Sequence, residues 1–244
     1  MTLCVKFGII GVHINRRYIM ELTDNTLNVL KNYATINPNL VFSEGNTLKT
    51  ISVARNVLST TTVDETFPQN FGIYDLNEFL NVLSLVDKPT LKFEKDFVKV
   101  YDNTGRSNVK YFFSDTEMLT SPGKDIVMPE AEVNFVIDND TLNRVKKAAA
   151  VLGHTEISIS PSGGSINLAV VDSKDATSNA FSIDVEGSYP EGVDFNFIVN
   201  VNNIKVINED FAVSISSKLI SRWKSQQSAI EYYIALEKSS NYGE

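Results

Sequence analysis

Residues 139–153 read NDTLNRVKKAAAVLG, and a shorter version of the same text, DNTLNVLKNYA, occupies residues 24–34. Aligned from their first residues, the two agree at Thr26 and Thr141, Leu27 and Leu142, Asn28 and Asn143, Lys31 and Lys146, and Ala34 and Ala149. Both carry helical spacing. Leu142, Val145, Ala149 and Leu152 make one apolar stripe, and Leu27, Leu30 and Ala34 make the other. Asp24 and Asn139 stand at N-cap positions, and Gly153 stands where a helix should stop. Arg144 and Lys147 lie off the stripe, three residues apart on a common outer flank. On one isolated helix such cations read as a solvated face; the duplication is what gives them weight.

The chain has 244 residues, enough for one or two domains with their own cores. At 43% hydrophobic and 21% charged residues it has the balance of an ordinary globular protein rather than a disordered one. A net charge of −8 excludes a uniformly basic nucleic-acid binder but leaves local placement of cations open. The one cysteine, Cys4, rules out an intrachain disulfide and fits a reducing compartment. No apolar run approaches the ~20 residues of a membrane-spanning helix.

Residues 1–19 differ from the rest. They hold Lys6, Arg16 and Arg17 and no acid, which leaves 19 cations against 30 acids from Met20 onward. The apolar part is short and lacks a small-residue cleavage site, so a signal peptide is not expected. Two readings stay open: an added strand, with Val5, Phe7 and Ile9 alternating, or an upstream start that precedes Met20 as the effective beginning. An N-terminal extension over 1–19 is therefore set apart.

Strands are predicted at 39–44, 48–52, 56–63 and 71–75, with a turn at Glu44-Gly45-Asn46. Leu76, Phe79, Leu80 and Leu83 then switch to helical spacing, which predicts a second helix over 76–86, ended by Pro89. Further strands are predicted at 90–94, 97–101 and 107–113. Residues 114–129 hold Pro122, Gly123 and Pro129 with neither period and read as a linker. Its core, 118–129, is taken as an interdomain connector between domains at 20–117 and 130–244.

The order then restarts: a strand at 131–137, the helix at 139–153, and a hairpin of 156–160 with 165–171 across residues 161–164. Residues 178–186 form a strand with Phe181, Ile183 and Val185 on one face. A strand at 195–199 leads into a short fourth helix at 200–207. Here a second internal match appears, IYDLNEF at 73–79 against IVNVNNI at 198–204. Strands at 211–216, 220–224 and 229–237 complete the pattern.

The fold class expected is α+β: two tandem similar domains, each an antiparallel sheet with two short helices on one face. Four helix flanks then share one side of the protein, and that side carries Lys31, Arg144, Lys146, Lys147 and Lys205. Cations gathered on one helical surface of an acidic chain point to an anionic polymer. They are few and set among Asn and Ser, which suits backbone contact rather than base reading.

The segments 27–37 (LNVLKNYATIN), 73–86 (IYDLNEFLNVLSLV) and 195–200 (FNFIVN) resemble the sliding clamps of T-even-type bacteriophages, the processivity factors of phage DNA polymerases. The resemblance runs from about residue 20 to the C-terminus and has no counterpart for residues 1–19. It implies a homotrimeric closed ring with helices lining a hole for duplex DNA, no catalytic centre and no cofactor. It also implies a replicative DNA polymerase and an ATP-driven clamp loader as partners, in the cytoplasm of an infected bacterial host. Val109, Tyr111 and Phe113 are candidates to pair with Phe181, Ile183 and Val185 of a neighbour and close the ring, the alternative being that both are ordinary core strands. Ile126, Val127, Met128, Tyr232 and Ile234 are the candidate lining of a partner-peptide pocket beside the connector.

Catalytic motifs are absent from the sequence. There is no phosphate-binding glycine loop and no nucleophile elbow, and Gly163-Gly164 reads as a hairpin turn. His154 follows a helix end, where a capping role is expected. A zinc site is not expected with one cysteine and two histidines. Scattered carboxylates such as Asp64, Glu65, Asp138 and Asp140 could in principle bind magnesium, though most acids are simply solvated. The sequon at 139–141 has little meaning without a secretion signal. Two rival readings remain: a duplicated protein-interaction scaffold that does not bind DNA, and a magnesium-dependent enzyme of nucleic acid.

Overall fold

The computed structural model describes residues 19–243 except 103, 105 and 176. The strand proposed around Val5, Phe7 and Ile9 lies outside the described residues. The first half runs β1 (Ile19–Glu21), α1 (Asp24–Ile36), β2 (Leu40–Phe42), β3 (Gly45–Ile51), β4 (Val57–Phe67), β5 (Phe71–Ile73), α2 (Leu76–Ser84), β6 (Thr90–Phe93), β7 (Phe97–Tyr101) and β8 (Asn108–Phe112). A 3-10 turn at Thr116–Met118 opens the connector. The second half runs β9 (Val133–Ile137), α3 (Asn139–Leu152), β10 (Glu156–Ser162), β11 (Ser165–Val171), β12 (Phe181–Val185), β13 (Gly187–Ser188), β14 (Phe195–Asn200), a 3-10 turn (Val201–Asn203), β15 (Phe211–Ser216), β16 (Ile220–Ser225), β17 (Glu231–Ala235) and β18 (Asn241–Tyr242).

The architecture is α+β, as expected, with every described strand pair antiparallel. One sheet has the order β1-β6-β7-β8 and another β12-β11-β10-β14-β18, while β2 pairs with β5. The largest, β13-β9-β15-β16-β17-β4-β3, draws strands from both halves of the chain. Its crossing point is β17 against β4, where Glu231 faces Thr60 and Ile234 faces Val57. The two halves are therefore joined by a strand ladder, and not only by the connector.

Both long helices are capped one residue earlier than the sequence implies. The caps are Thr23 and Asp138 rather than Asp24 and Asn139; both hold extended backbone and accept a bond from the N–H three residues on. Gly153 ends α3 with φ of 72°, a left-handed conformation that favours glycine. Gly163 and Gly164, at φ 55° and 97°, supply the two positive torsions of the tight β10–β11 turn.

The buried faces of the repeated helices differ. α3 buries Leu142, Val145 and Ala149 as its stripe requires. α1 buries Thr26, Val29, Leu30, Tyr33 and Ile36, while Leu27 and Ala34 are only half-buried. The cause is polar. The Thr26 hydroxyl donates to the buried carboxylate of Glu65, which also accepts the Thr23 N–H at 2.5 Å. Tyr33 turns inward as well, its hydroxyl donating to the Leu48 carbonyl at 3.2 Å. The roll exposes Lys31, whereas its aligned partner Lys146 is half-buried.

The fourth helix is the other correction. Residues 201–203 make a single 3-10 turn and the helix does not continue. The cap itself works, since the Asn200 side chain accepts the Asn202 N–H at 3.0 Å, and Ile204 is buried as Phe79 is. This stretch also holds the β-branched Val206 and Ile207 and two asparagines, all weak helix formers. α2, from the matching start, continues on Leu80, Val82 and Leu83 for nine residues.

A paired substitution tests the cause of the roll. Thr26→Val, by stripping a donor from a buried carboxylate, is expected to cost about 1–3 kcal/mol in denaturant unfolding. The aligned Thr141→Val, whose hydroxyl meets only the exposed Asp138, is expected to cost within about 0.5 kcal/mol. Equal losses at both sites would contradict this explanation.

Candidate nucleic-acid interface and protein-contact surfaces

α1 lies between two neighbours. α2 packs along it on one side. On the other, residues 203–207 dock against its C-terminal end. There Asn32 Nδ2 donates to the Lys205 carbonyl at 2.9 Å, and Lys205 Nζ donates to the Thr35 carbonyl at 2.7 Å. Tyr232 donates its hydroxyl to Asn32 Oδ1 at 2.8 Å from β17 beneath. α3 joins the same region through its exit turn, the Val201 N–H donating to the Thr155 carbonyl at 2.8 Å.

The five cations expected on this side are not equivalent. Lys31, Arg144 and Lys147 are exposed. Lys146 is half-buried on the flank of the α3 stripe, and that burial holds its ammonium below the usual lysine range. Lys205 is occupied: its ammonium caps the last turn of α1, where unpaired carbonyls and the helix dipole attract a cation. Lys88, which the sequence pattern did not single out, shares a groove of about 450 Å³ with Lys31, Glu21, Asp24 and Asp87. Its position just past the end of α2 and before Pro89 was the available signal. Around the cations the exposed helix positions are mostly neutral: Asn25 and Asn28 on α1, Asn77, Asn81 and Ser84 on α2, and Asn143 on α3.

Two of the four carboxylates proposed for magnesium have other work. Glu65 holds Thr23 and Thr26, and Asp138 caps α3. Asp64 and Asp140 are exposed. Among the described residues no group of three His, Cys, Asp or Glu side chains is placed to hold a metal ion. His154 donates its backbone N–H to the Ala149 carbonyl at the helix end, and its Nε2 lies 2.8 Å from the Asn179 carbonyl oxygen.

Among the described residues, two sheets end in strands with one free edge at the positions proposed for subunit contact: β8 ends the first sheet and β12 the second. Val109, Tyr111, Phe113, Phe181, Ile183 and Val185 are all half-buried and packed against the core. Tyr111 is fixed to the start of α2, its hydroxyl 3.3 Å from both the Asp75 carbonyl and Glu78 Oε2. Burial, helped by the Glu78 charge, pushes its phenol up to about 12.

A cavity of about 250 Å³ lies beside the connector, lined by Leu58, Pro122, Ile126 and Tyr233 with Lys49 and Asp125 at its rim. Lys49 and Asp125 form an ion pair that ties the connector to β3. Ile126 is thus at the cavity, while Val127 is 87% exposed and Met128 is half-buried. Tyr232 and Ile234 are not on it: both are fully buried on the core face of β17, and the side chains that reach the cavity are those of Glu231 and Tyr233. The period of two along a strand explains the error, because shifting by one residue changes the face.

Similarity to known proteins covers both halves of the chain. Residues 23–117 match the family described as DNA polymerase processivity factor, and residues 134–238 match the family gp45 sliding clamp, C terminal. A sliding clamp of Vibrio phage KVP40 is 30% identical over 223 residues, covering 89% of this chain and 99% of the relative. The sliding clamp of Enterobacteria phage T4 is 28% identical, covering 91% and 99%. Among solved structures, the Proliferating Cellular Nuclear Antigen of Entamoeba histolytica superposes with a TM-score of 0.65 at 13% identity, covering 87% of this chain and 94% of that one. The A. fulgidus PCNA, solved with the C-terminal region of FEN-1 bound, gives 0.65 at 14% identity, covering 92% and 99%. The fold is that of these nuclear-antigen clamps, and the chain belongs to the sliding-clamp family of T4-like bacteriophages.

Proposed function

We propose that this chain assembles as a homotrimeric ring around duplex DNA and tethers the phage replicative DNA polymerase, with domains at 20–117 and 130–244 joined by the connector at 118–129. The observation that carries the reading is the kinship over nearly the whole length of its relatives, together with exposed cations on the helices of a net-acidic chain. Retention comes from topology, because the ring must open before DNA can leave. Lys31, Arg144 and Lys147 supply weak phosphate attraction that is the same at every base pair, so translation along the duplex is not hindered. Lys146 and Lys205 contribute to the local potential, but their main roles are packing and helix capping. The acidic remainder repels DNA from other surfaces.

Ring closure uses the β8 edge of one copy and the β12 edge of the next, with Val109, Tyr111 and Phe113 beside Phe181, Ile183 and Val185. An ATP-driven clamp loader opens and places the ring in the cytoplasm of the infected host. The connector cavity, with Ile126 and Tyr233 as its apolar walls, is the docking site for a partner peptide. The clamp has no catalytic role of its own.

Sedimentation at micromolar concentration is expected to give the mass of three copies of the 27.1 kDa chain. In Arg144→Glu/Lys147→Glu the trimer is expected to persist while stimulation of the polymerase on a primed circular template falls. The salt dependence of DNA retention should weaken by about one unit of slope per cation removed. Unchanged stimulation by the double variant would overturn the DNA-facing placement, and a monomer would overturn the ring.

A further inference from the structure

The free edges of β8 and β12 carry enough detail to fix how they join. In an antiparallel ladder, residues alternate between turning their backbone N–H and C=O to one neighbour and to the other. The Phe113 N–H donates to the Asp96 carbonyl at 3.0 Å, and the Asp102 N–H to the Ser107 carbonyl at 3.3 Å. Both bonds belong to the register in which Phe97 faces Phe112. Odd-numbered residues of β8 therefore turn their backbone groups to β7, and Asn108, Lys110 and Phe112 point theirs outward. In the other sheet, the Val201 N–H donates to the Thr155 carbonyl, which sets odd residues of β10 toward β14 and even ones toward β11. Carried across β11 in the observed registers, Ile166, Leu168 and Val170 bond to Val185, Ile183 and Phe181. Ser182 and Asp184 are left facing the free edge.

Side chains select the same positions. Asn108, Lys110 and Phe112 on β8, and Ser182 and Asp184 on β12, are the exposed residues of their strands. Even-numbered residues must therefore meet even-numbered ones if the core faces of both copies are to lie on one side. We propose, resting on the ring reading above, that β8 and β12 of adjacent copies pair antiparallel with Lys110 opposite Asp184 and Phe112 opposite Ser182. This register matches all five residues 109–113 with 181–185, and it sets Tyr111 opposite Ile183 on the core side. A slip of two residues in one direction puts Lys110 opposite Ser182 and Phe112 opposite Ala180, past the end of β12.

Charge favours the same register. Lys92, Lys99 and Lys110 stand directly opposite one another across β6, β7 and β8. A row of like charges disfavours a sheet. Lys92 meets Glu94 at 3.0 Å, whereas among the described residues Lys110 at the open end lies over the faces of Phe97 and Phe112, 3.9 and 4.4 Å from their ring centroids, with no carboxylate. Asp184 of the next copy ends the row with a carboxylate.

Disulfide trapping on a Cys4→Ser background reads the register. Paired residues in a ladder lie at ~5.5 Å between Cα atoms, within disulfide range, whereas a position two residues away does not. Phe112→Cys with Ser182→Cys is expected to give covalent trimers on oxidation, and Phe112→Cys with Ala180→Cys to give none. In the uncrosslinked protein, Lys110→Glu and Asp184→Lys should each raise the concentration of half-dissociation about fivefold, and the two together should restore it. Trapping at Ala180 instead overturns the register while leaving the ring. A trimer trapped by neither pair overturns the register, and if Phe112→Cys with Asp184→Cys also fails to trap it, the choice of edges falls as well. A chain that stays monomeric overturns ring and register together.

Discussion

The pairing of β17 with β4 is the constraint on which the rest of the molecule depends. A strand near the C-terminus adds to a strand from the first half, and seven strands become one sheet. Backbone bonds across that seam leave the two halves little freedom to rotate against each other. Tyr232, carried on β17, then reaches up to Asn32 on α1, while Lys205 and Asn203 fasten the return segment of the second half beside the same helix. Each of these contacts joins residues far apart in the chain, so the helical layer is assembled by the sheet beneath it.

Unsatisfied backbone hydrogen-bonding capacity lies at the sheet edges, and β8 and β12 are two of them. β8 and β12 are short edge strands whose outer faces carry Lys110, Phe112, Ser182 and Asp184, and whose inner faces already belong to the core. Exposed edges of that sort are a hazard in a monomer. In the ring proposed above they would be consumed, and the hazard would become the means of closure. The same logic applies to charge, because few cations need be exposed where confinement, rather than attraction, keeps a polymer in place.

The sequence halves are related, yet the structure does not repeat them faithfully. The helix texts at 24–34 and 139–149 agree at five positions, but a buried carboxylate at Glu65 turns α1 about its axis and α3 is not turned. The texts at 73–79 and 198–204 each place a capping side chain, Asp75 or Asn200, at the start of the turn. The residues beyond that cap decide between a nine-residue helix and one 3-10 turn. Duplication preserved the placement of caps and core anchors, and divergence changed which flank faces out.

By itself the sequence determined the elements whose cause is local. Periods of 3.6 and 2, capping side chains one residue from their expected places, Gly153 and the Gly163-Gly164 turn are all written in neighbouring residues, and the repeated helix text was enough to show two related halves. It also identified Arg144 and Lys147 as exposed cations, since both lie opposite a clear apolar stripe. Only the tertiary structure decided that Lys146 is half-buried, that Lys205 caps α1, and that Tyr233 rather than Tyr232 reaches the connector cavity. The first depends on how α3 lies on the sheet strands β11 and β12, the second on a partner 170 residues away, and the third on which face of a fully covered strand turns outward; no local pattern carries that information.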